Sequence, residues 1–452
     1  MKSTKFEREV KSLLYFIRTY GIQHTSVPVE EIFHNDDIKN QFVHNVHTGF
    51  YLAQKNVVRL LTKVLTERKK LKTELKLTRQ NKIKDRVNEI NNALSENKYQ
   101  EMTLRKIVDA IAWQLFNCDI TIIRRLYGGE ELIDITDSNL ESELHAIEKF
   151  LEKDPDCFVL INDLTTFIQV GDVIVYHPDR GLEIYELKEG EKNGQVIELI
   201  NRVMNEEVCV INELSEHDEK FIEHLKRTAK QFAKESSVIN TINTGKGKDL
   251  YTGMETTISQ TVIEMDCYDE QLGNLIEKCY KSKHAIDVIE DILLLGVYKE
   301  NEFPSVVFED WKKACDIRIP TYDLRYSMLD PMAQPIFLLN FSDKVILDIL
   351  MGRITVKMAL DVNGWLETFK EDGYEYCWMS KKQTARQAIP HVGNPVFQLD
   401  GCGVLVKNQQ GKSIMLAYGI FMRMYVLLNL PSSARKYIEK VLEETQIQTE
   451  TN

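Results

Sequence analysis

Apolar residues recur every three to four positions through residues 4 to about 98. Val57, Leu61, Val64, Leu71 and Leu75 make one series, and Ile83, Val87, Ile90 and Leu94 another. That spacing keeps one helical face apolar and predicts an almost wholly helical region. The series falters at Gln80–Asn81, so a break there is expected to fold the segment into a helical hairpin.

From Lys106 the pattern changes. IVDAIAWQLF reads as a helix and ITIIRRLY as a strand ended by Gly128-Gly129. A capped helix is expected from about Asp137-Ser138 to Lys153, where Asp154-Pro155 stops it. CFVLIN, FIQVGDVIVY and GLEIYELK follow as three strands separated by turn residues. Further on, VCVIN predicts a strand, His217 to about Asn240 a helix, and NTGKGKDLYTG a loop. The GKGK in that loop lacks the GxxxxGK(S/T) spacing and no apolar strand feeds it, which excludes a P-loop.

Beyond residue 285 strands and helices mix. The landmarks are AIDVIEDILLLGVY, PIFLLNF, a helix near SDKVILDILMGRI, a hairpin VLVKNQQGKSIMLAY and a final capped helix PSSARKYIEKVLEE. The pattern divides the chain into a helical region at 1–104, a second domain at 105–245 and an accessory α/β domain at 246–452. The fold class expected is α/β of the mixed kind.

Composition narrows the function classes. With 452 residues the chain has room for about three domains, and 43% apolar with 28% charged residues marks a globular protein. No apolar run approaches the ~18 residues of a membrane span, and the N-terminus MKSTKFEREVKSLLYF lacks a secretory core. The eight cysteines form no CxxC pair, so neither a zinc site nor a disulfide framework is indicated, and a cytoplasmic setting is expected. His44 and His47 have no cysteine or acid at ligand spacing and read as helix-surface residues.

The net charge of −12 argues against binding nucleic acid with the whole surface. The charge is uneven, however. Lys55 to Arg86 holds twelve Lys or Arg against three acids, and Lys69, Lys70 and Lys72 form its densest part. Such a stripe is usually a solvated helix face, but it also suits phosphates.

The chemistry concentrates in GDVIVYHPDRGLEIYELKEG, residues 171–190. With HPDRG as the loop, Tyr176 faces Leu182, Ile174 faces Ile184, and Asp172 faces Glu186. Opposed residues have Cβ atoms about 5 Å apart, and alternation puts Lys188 on the face of Glu186. Both faces of this hairpin are otherwise apolar, as in a sheet covered by helices on each side. Two carboxylates side by side repel unless a cation lies between them. Mg2+ or Mn2+ accepts such oxygen ligands, and the Leu187 backbone carbonyl would add another. A metal-held water beside Lys188 suits phosphodiester hydrolysis, with the lysine orienting or deprotonating it. In the preceding helix Leu140, Leu144, Ile147, Phe150 and Leu151 form the apolar stripe, and Glu143 projects inside that arc. Glu143 is therefore the first choice for a further metal ligand, and Glu141 the second.

An acid-bearing helix followed by a hairpin carrying D-x(13)-E-x-K resembles the PD-(D/E)XK nuclease superfamily over residues 105 to 245. The resemblance implies a restriction-endonuclease-like mixed sheet flanked by helices, holding one or two divalent cations and cutting DNA, less often RNA. Asp172 matches the metal-binding aspartate, Glu186 and Lys188 the ExK pair, and Glu143 the helix glutamate. Lys230 and Gln231, in HLKRTAKQFAKESSVI, match a helix that many members place near the substrate. Gly171 stands where the motif has proline. By analogy with restriction-type and anti-phage effectors, the flanks would serve target choice or regulation. The competing expectation is a nuclease-like nucleic-acid-binding or scaffold protein without activity. A third makes the helical arm an interaction module for a homo-oligomer or a partner subunit.

Overall fold

The structure is a computed structural model. It describes residues 3–132, 140–154, 157–177, 181–187, 219–258, 265–300, 302–389 and 395–444, with isolated positions 135, 196, 199 and 200. Two compact units divide the chain, Met1–Gln260 and Thr261–Asn452. The fold class is mixed α/β, as expected.

Unit 1 is organised by a long helical hairpin. Helix α1 (Ser3–Arg18) and the single turn α2 (Tyr20–Gln23) pack on α3 (Asp36–Gln80). The Asn35 side chain caps α3 by accepting the Asp37 amide at 2.9 Å. The expected break at Gln80–Asn81 is present, with Lys82 at φ 56° in the link, and α4 (Lys84–Leu115) returns alongside. Val57, Leu61 and Val64 are buried in the seam. Polar groups fix its register: Arg68 donates to Asn97 at 2.8 Å and pairs with Glu101 at 2.5 Å. Asn97 in turn donates to the Val64 carbonyl at 2.8 Å.

Helix α4 is continuous through residues 104 and 105, and its second half is buried together with Arg105, Lys106 and Asp109. ITIIRRLY is not a strand. Residues Ile120–Arg125 form α5, because the Asp119 side chain accepts the Thr121 amide at 2.8 Å and starts a helical turn despite the β-branched run. Helix α6 follows at Leu140–Lys153, and its expected cap at Asp137-Ser138 lies outside the described residues.

Strands β1 (Phe158–Ile161), β2 (Val173–His177) and β3 (Gly181–Tyr185) make an antiparallel sheet in that order. FIQVGDVIVY is extended only from Val173. Upstream, the Asn162 side chain donates to the Val170 and Gly171 carbonyls at 2.8 and 3.0 Å and holds that stretch as a turn. Strands β1 and β2 are almost wholly buried, whereas β3 is half-buried throughout. On the outer side of β1, the buried Gln54 of α3 donates to the Val159 carbonyl at 2.9 Å. It also accepts the Ile161 amide at 2.9 Å.

Helix α7 (Glu219–Thr244) packs beside β3. The segment expected as a loop, NTGKGKDLYTG, instead contributes to a short hairpin of β4 (Lys246–Lys248) and β5 (Glu255–Thr257). The Asp249 side chain accepts the Thr252 amide at 2.7 Å and closes the turn, while Arg125 pairs with Asp249 at 2.7 Å. Residues 246–258 thus belong to unit 1. All strand pairings among the described residues are antiparallel; VCVIN, expected as a further strand, lies outside them.

Unit 2 holds a four-stranded antiparallel sheet, β6 (His284–Ile289), β7 (Leu293–Lys299), β9 (Ile354–Leu360) and β8 (Tyr322–Asp323) in spatial order. Helices Asp269–Lys281, Pro304–Ala314 and Asp343–Leu350 pack on it. A second sheet joins β10 (Glu375–Trp378), β11 (Val404–Lys407) and β12 (Ser413–Met415), and includes the expected hairpin. PIFLLNF carries only a 3-10 turn at Ile336–Leu338, and the last helix spans Pro431–Glu444.

Candidate functional site

The hairpin register is the one its turn length predicts. Tyr176 faces Leu182, Ile174 faces Ile184, and Val173 faces Tyr185, so Asp172 and Glu186 are next in line. Here the ladder becomes irregular. The Asp172 amide donates to the Tyr185 carbonyl at 2.8 Å, and the Asp172 carboxylate accepts the Leu187 amide at 2.6 Å. Leu187, expected to offer its carbonyl, therefore meets Asp172 through its N–H. Gly171 precedes at φ 64°, and a Cβ there would lie 2.3 Å from Ile184 Cγ2. Proline, locked near −65°, cannot adopt this backbone. The motif's proline is thus excluded for a local reason.

The turn between β1 and β2 is held from beneath by α4. Asp109 accepts the Thr166 amide at 2.7 Å and its hydroxyl at 2.5 Å, and pairs with the fully buried Lys106 at 3.1 Å. Arg105 donates to the Asp163 carbonyl at 2.6 Å. The Asn162 amide donates to the Asp172 carbonyl at 2.9 Å, so both acids of this turn sit on a fixed backbone.

Four carboxylates gather here. Burial raises the Glu143 carboxyl to about 8, helped by the charges of Asp163 and Asp172. Burial also raises Asp163, with the nearby Arg105 opposing the shift and Glu186 adding to it. Helix α6, the turn after β1 and the open end of the hairpin thereby bring Glu143 within electrostatic range of Asp163 and Asp172, and Asp163 within range of Glu186. Asp163 is absent from the sequence motif; its only local signal is an acid directly after a buried strand. Glu143 Oε2 is buried and has no hydrogen-bond partner. An uncompensated buried carboxyl oxygen is what a missing ligand or ion leaves behind.

An all-oxygen set of this kind fits a hard divalent cation such as Mg2+ or Mn2+. The four acids are nevertheless not drawn tightly together. Among the described residues, the three metal-ligand atoms lying within 4.8 Å of one another belong to Asp154, Cys157 and His177.

Lys188, the last member of the ExK pair, lies outside the described residues, as does the side chain of Glu141. Lys230 is exposed and Gln231 half-buried on α7. Lys69, Lys70 and Lys72 are exposed on α3. His44 is exposed as expected, whereas His47 is half-buried. It packs on Phe158 with ring centroids 5.2 Å apart, and burial, then His44, lowers it to about 4. Both histidines line a cavity of about 240 Å³ with Tyr51, Ile147, Leu151 and Cys157. No helix among the described residues is long and apolar enough to cross a membrane.

Comparison with protein-family models, with curated proteins and with solved structures finds no match to this chain.

Proposed function

We propose that the protein is a metal-dependent endonuclease that hydrolyses phosphodiester bonds in nucleic acid, with DNA ahead of RNA. The observation that carries this reading is the electrostatic linkage of Glu143 to Asp163 and Asp172, and of Asp163 to Glu186, beside a buried Glu143 carboxyl oxygen that has no hydrogen-bond partner. These four residues would hold Mg2+ or Mn2+. When bound, such an ion acidifies a water and offsets phosphate charge. The chain's own contribution is positional. The Leu187 amide fixes the Asp172 carboxylate, the Asn162 and Arg105 contacts fix the turn carrying Asp163, and α6 presents Glu143. Glu143, whose carboxyl burial raises to about 8, would release its proton to a bound cation. Lys188 keeps the role the motif implies, orienting or deprotonating the attacking water.

The exposed lysines of α3 support a nucleic-acid partner, and an anti-phage or restriction role is the biological extension of the same reading. A second reading, a nuclease-like protein that binds nucleic acid without cutting it, draws support from the wide spacing of the four acids.

The test is cleavage of plasmid, linear duplex and single-stranded RNA with Mg2+ or Mn2+, alongside Asp172→Asn and Glu186→Gln. Cleavage abolished by chelation and reduced on the order of 100-fold or more in each variant is expected, since lost electrostatic groups cost about 10²–10³ in rate. Equal cleavage by all three proteins rules out this site. Binding without cleavage under every condition favours the second reading.

A further inference from the structure

The His177 end of β2 carries a different grouping of chemistry. Asp154 follows α6, Cys157 precedes β1, and His177 ends β2; one oxygen, one sulfur and one nitrogen lie within 4.8 Å of one another. His177 Nδ1 is 2.8 Å from Asp154 Oδ2. Its other nitrogen, Nε2, lies 3.5 Å from Glu183 Oε2, and the Tyr185 hydroxyl donates to that same carboxylate. Cys157 and His177 are buried, and Asp154 is partly exposed.

We propose that Asp154, Cys157 and His177 form a Zn2+ site, separate from the four-acid cluster, that ties the end of α6 to the end of β2. Three features select this ion. A thiolate beside an imidazole suits borderline-soft zinc and not Mg2+ or Ca2+. Bond lengths near 2.0–2.3 Å place the donors of a tetrahedral zinc roughly 3–4 Å apart, so only a small adjustment from the observed spacing is needed. A metal-binding histidine generally donates its second ring N–H to a carboxylate that fixes its tautomer, and Glu183, held by Tyr185, stands at that nitrogen.

A bare imidazole–carboxylate pair would account for Asp154 and His177, with the Cys157 thiol making a long contact of 4.0 Å to the Phe150 carbonyl. Cys157 also borders the cavity of about 240 Å³, and a water would complete the four ligands of zinc. His177 lies five positions beyond Asp172, about 16 Å at strand rise, so the two sites share no ligand. A search for paired cysteines misses this set, because positions 154, 157 and 177 meet only through the fold.

The full-length chain, stripped with chelator, is titrated with Co2+ as a spectroscopic stand-in for zinc. In excess Mg2+, which occupies the acid cluster, a thiolate-to-metal absorption is expected that saturates near one equivalent of Co2+ and that Zn2+ displaces. Cys157→Ser abolishes the absorption. Glu183→Gln keeps it but weakens affinity about 10–100-fold, as loss of an orienting partner does. Wild-type chain that shows no thiolate absorption at saturating Co2+ overturns the proposal, whatever the folding of the variants. So does an unchanged absorption in a folded Cys157→Ser, because another thiol is then the ligand. The oxygen-only acid cluster contributes nothing to this signal, so the result does not depend on nuclease activity.

Discussion

Glu143 is the residue whose chemistry depends most on what surrounds it. Its carboxyl stands at about 8 in the folded chain against 4.5 for the ordinary side chain. The folded state therefore holds a proton that the unfolded chain has released. The stability this contributes is fully present below about 4.5 and is lost as pH rises through about 8. Thermal melts of metal-free protein are expected to fall across that window, and Glu143→Gln to flatten the fall. Added Mg2+ should restore the wild type at the alkaline end, because the cation replaces the proton as counter-charge. Parallel melting profiles for wild type and variant would sink this account of Glu143. The pattern of apolar residues already placed Glu143 on the buried side of its helix. Asp163 was beyond such reading, since its neighbours Arg105 and Glu186 come from remote positions on the chain.

At the scale of elements, the site depends on α4 as much as on the hairpin that carries the motif. Asp109 binds both the Thr166 backbone and the fully buried Lys106. Removing one partner of a buried ion pair strands the other. Asp109→Ala should cost about 3–5 kcal/mol in denaturant unfolding. A loss below about 1 kcal/mol would show that the turn carrying Asp163 is held by other contacts. The elements legible in the sequence were those set by short-range rules. The break at Gln80–Asn81 follows from helical periodicity, and the register pairing Tyr176 with Leu182 and Ile174 with Ile184 follows from loop length. ITIIRRLY misled because its β-branched residues suggest a strand, while the Asp119 cap and the Arg125–Asp249 pair decide for a helix. FIQVGDVIVY misled for a related reason: the Asn162 side chain, not the apolar run, sets where β2 begins.

For the whole molecule, an acidic chain that binds nucleic acid must do so through a local basic surface. The net charge is −12, yet α3 displays Lys69, Lys70 and Lys72 on its exposed face. Each phosphate contact adds about 0.9 to the slope of log affinity against log salt on duplex DNA. Exchanging these three lysines for glutamate should reduce the slope measured by fluorescence anisotropy by roughly 2–3. An unchanged slope would assign the lysines to solvent and move the binding face elsewhere. The two compact units also differ in content. The acid cluster and the His177 grouping both lie in Met1–Gln260, while Thr261–Asn452 holds ion pairs such as Lys357 with Asp323 at 2.8 Å.

Gln54 carries a last consequence. Its side-chain amide already occupies the outward Val159 carbonyl and Ile161 amide. A sheet border with such groups free is a template on which another chain can grow, and here one glutamine closes it. Strand addition at these two groups of β1 is thereby opposed, and the residue that opposes it is far away in sequence, on a helix.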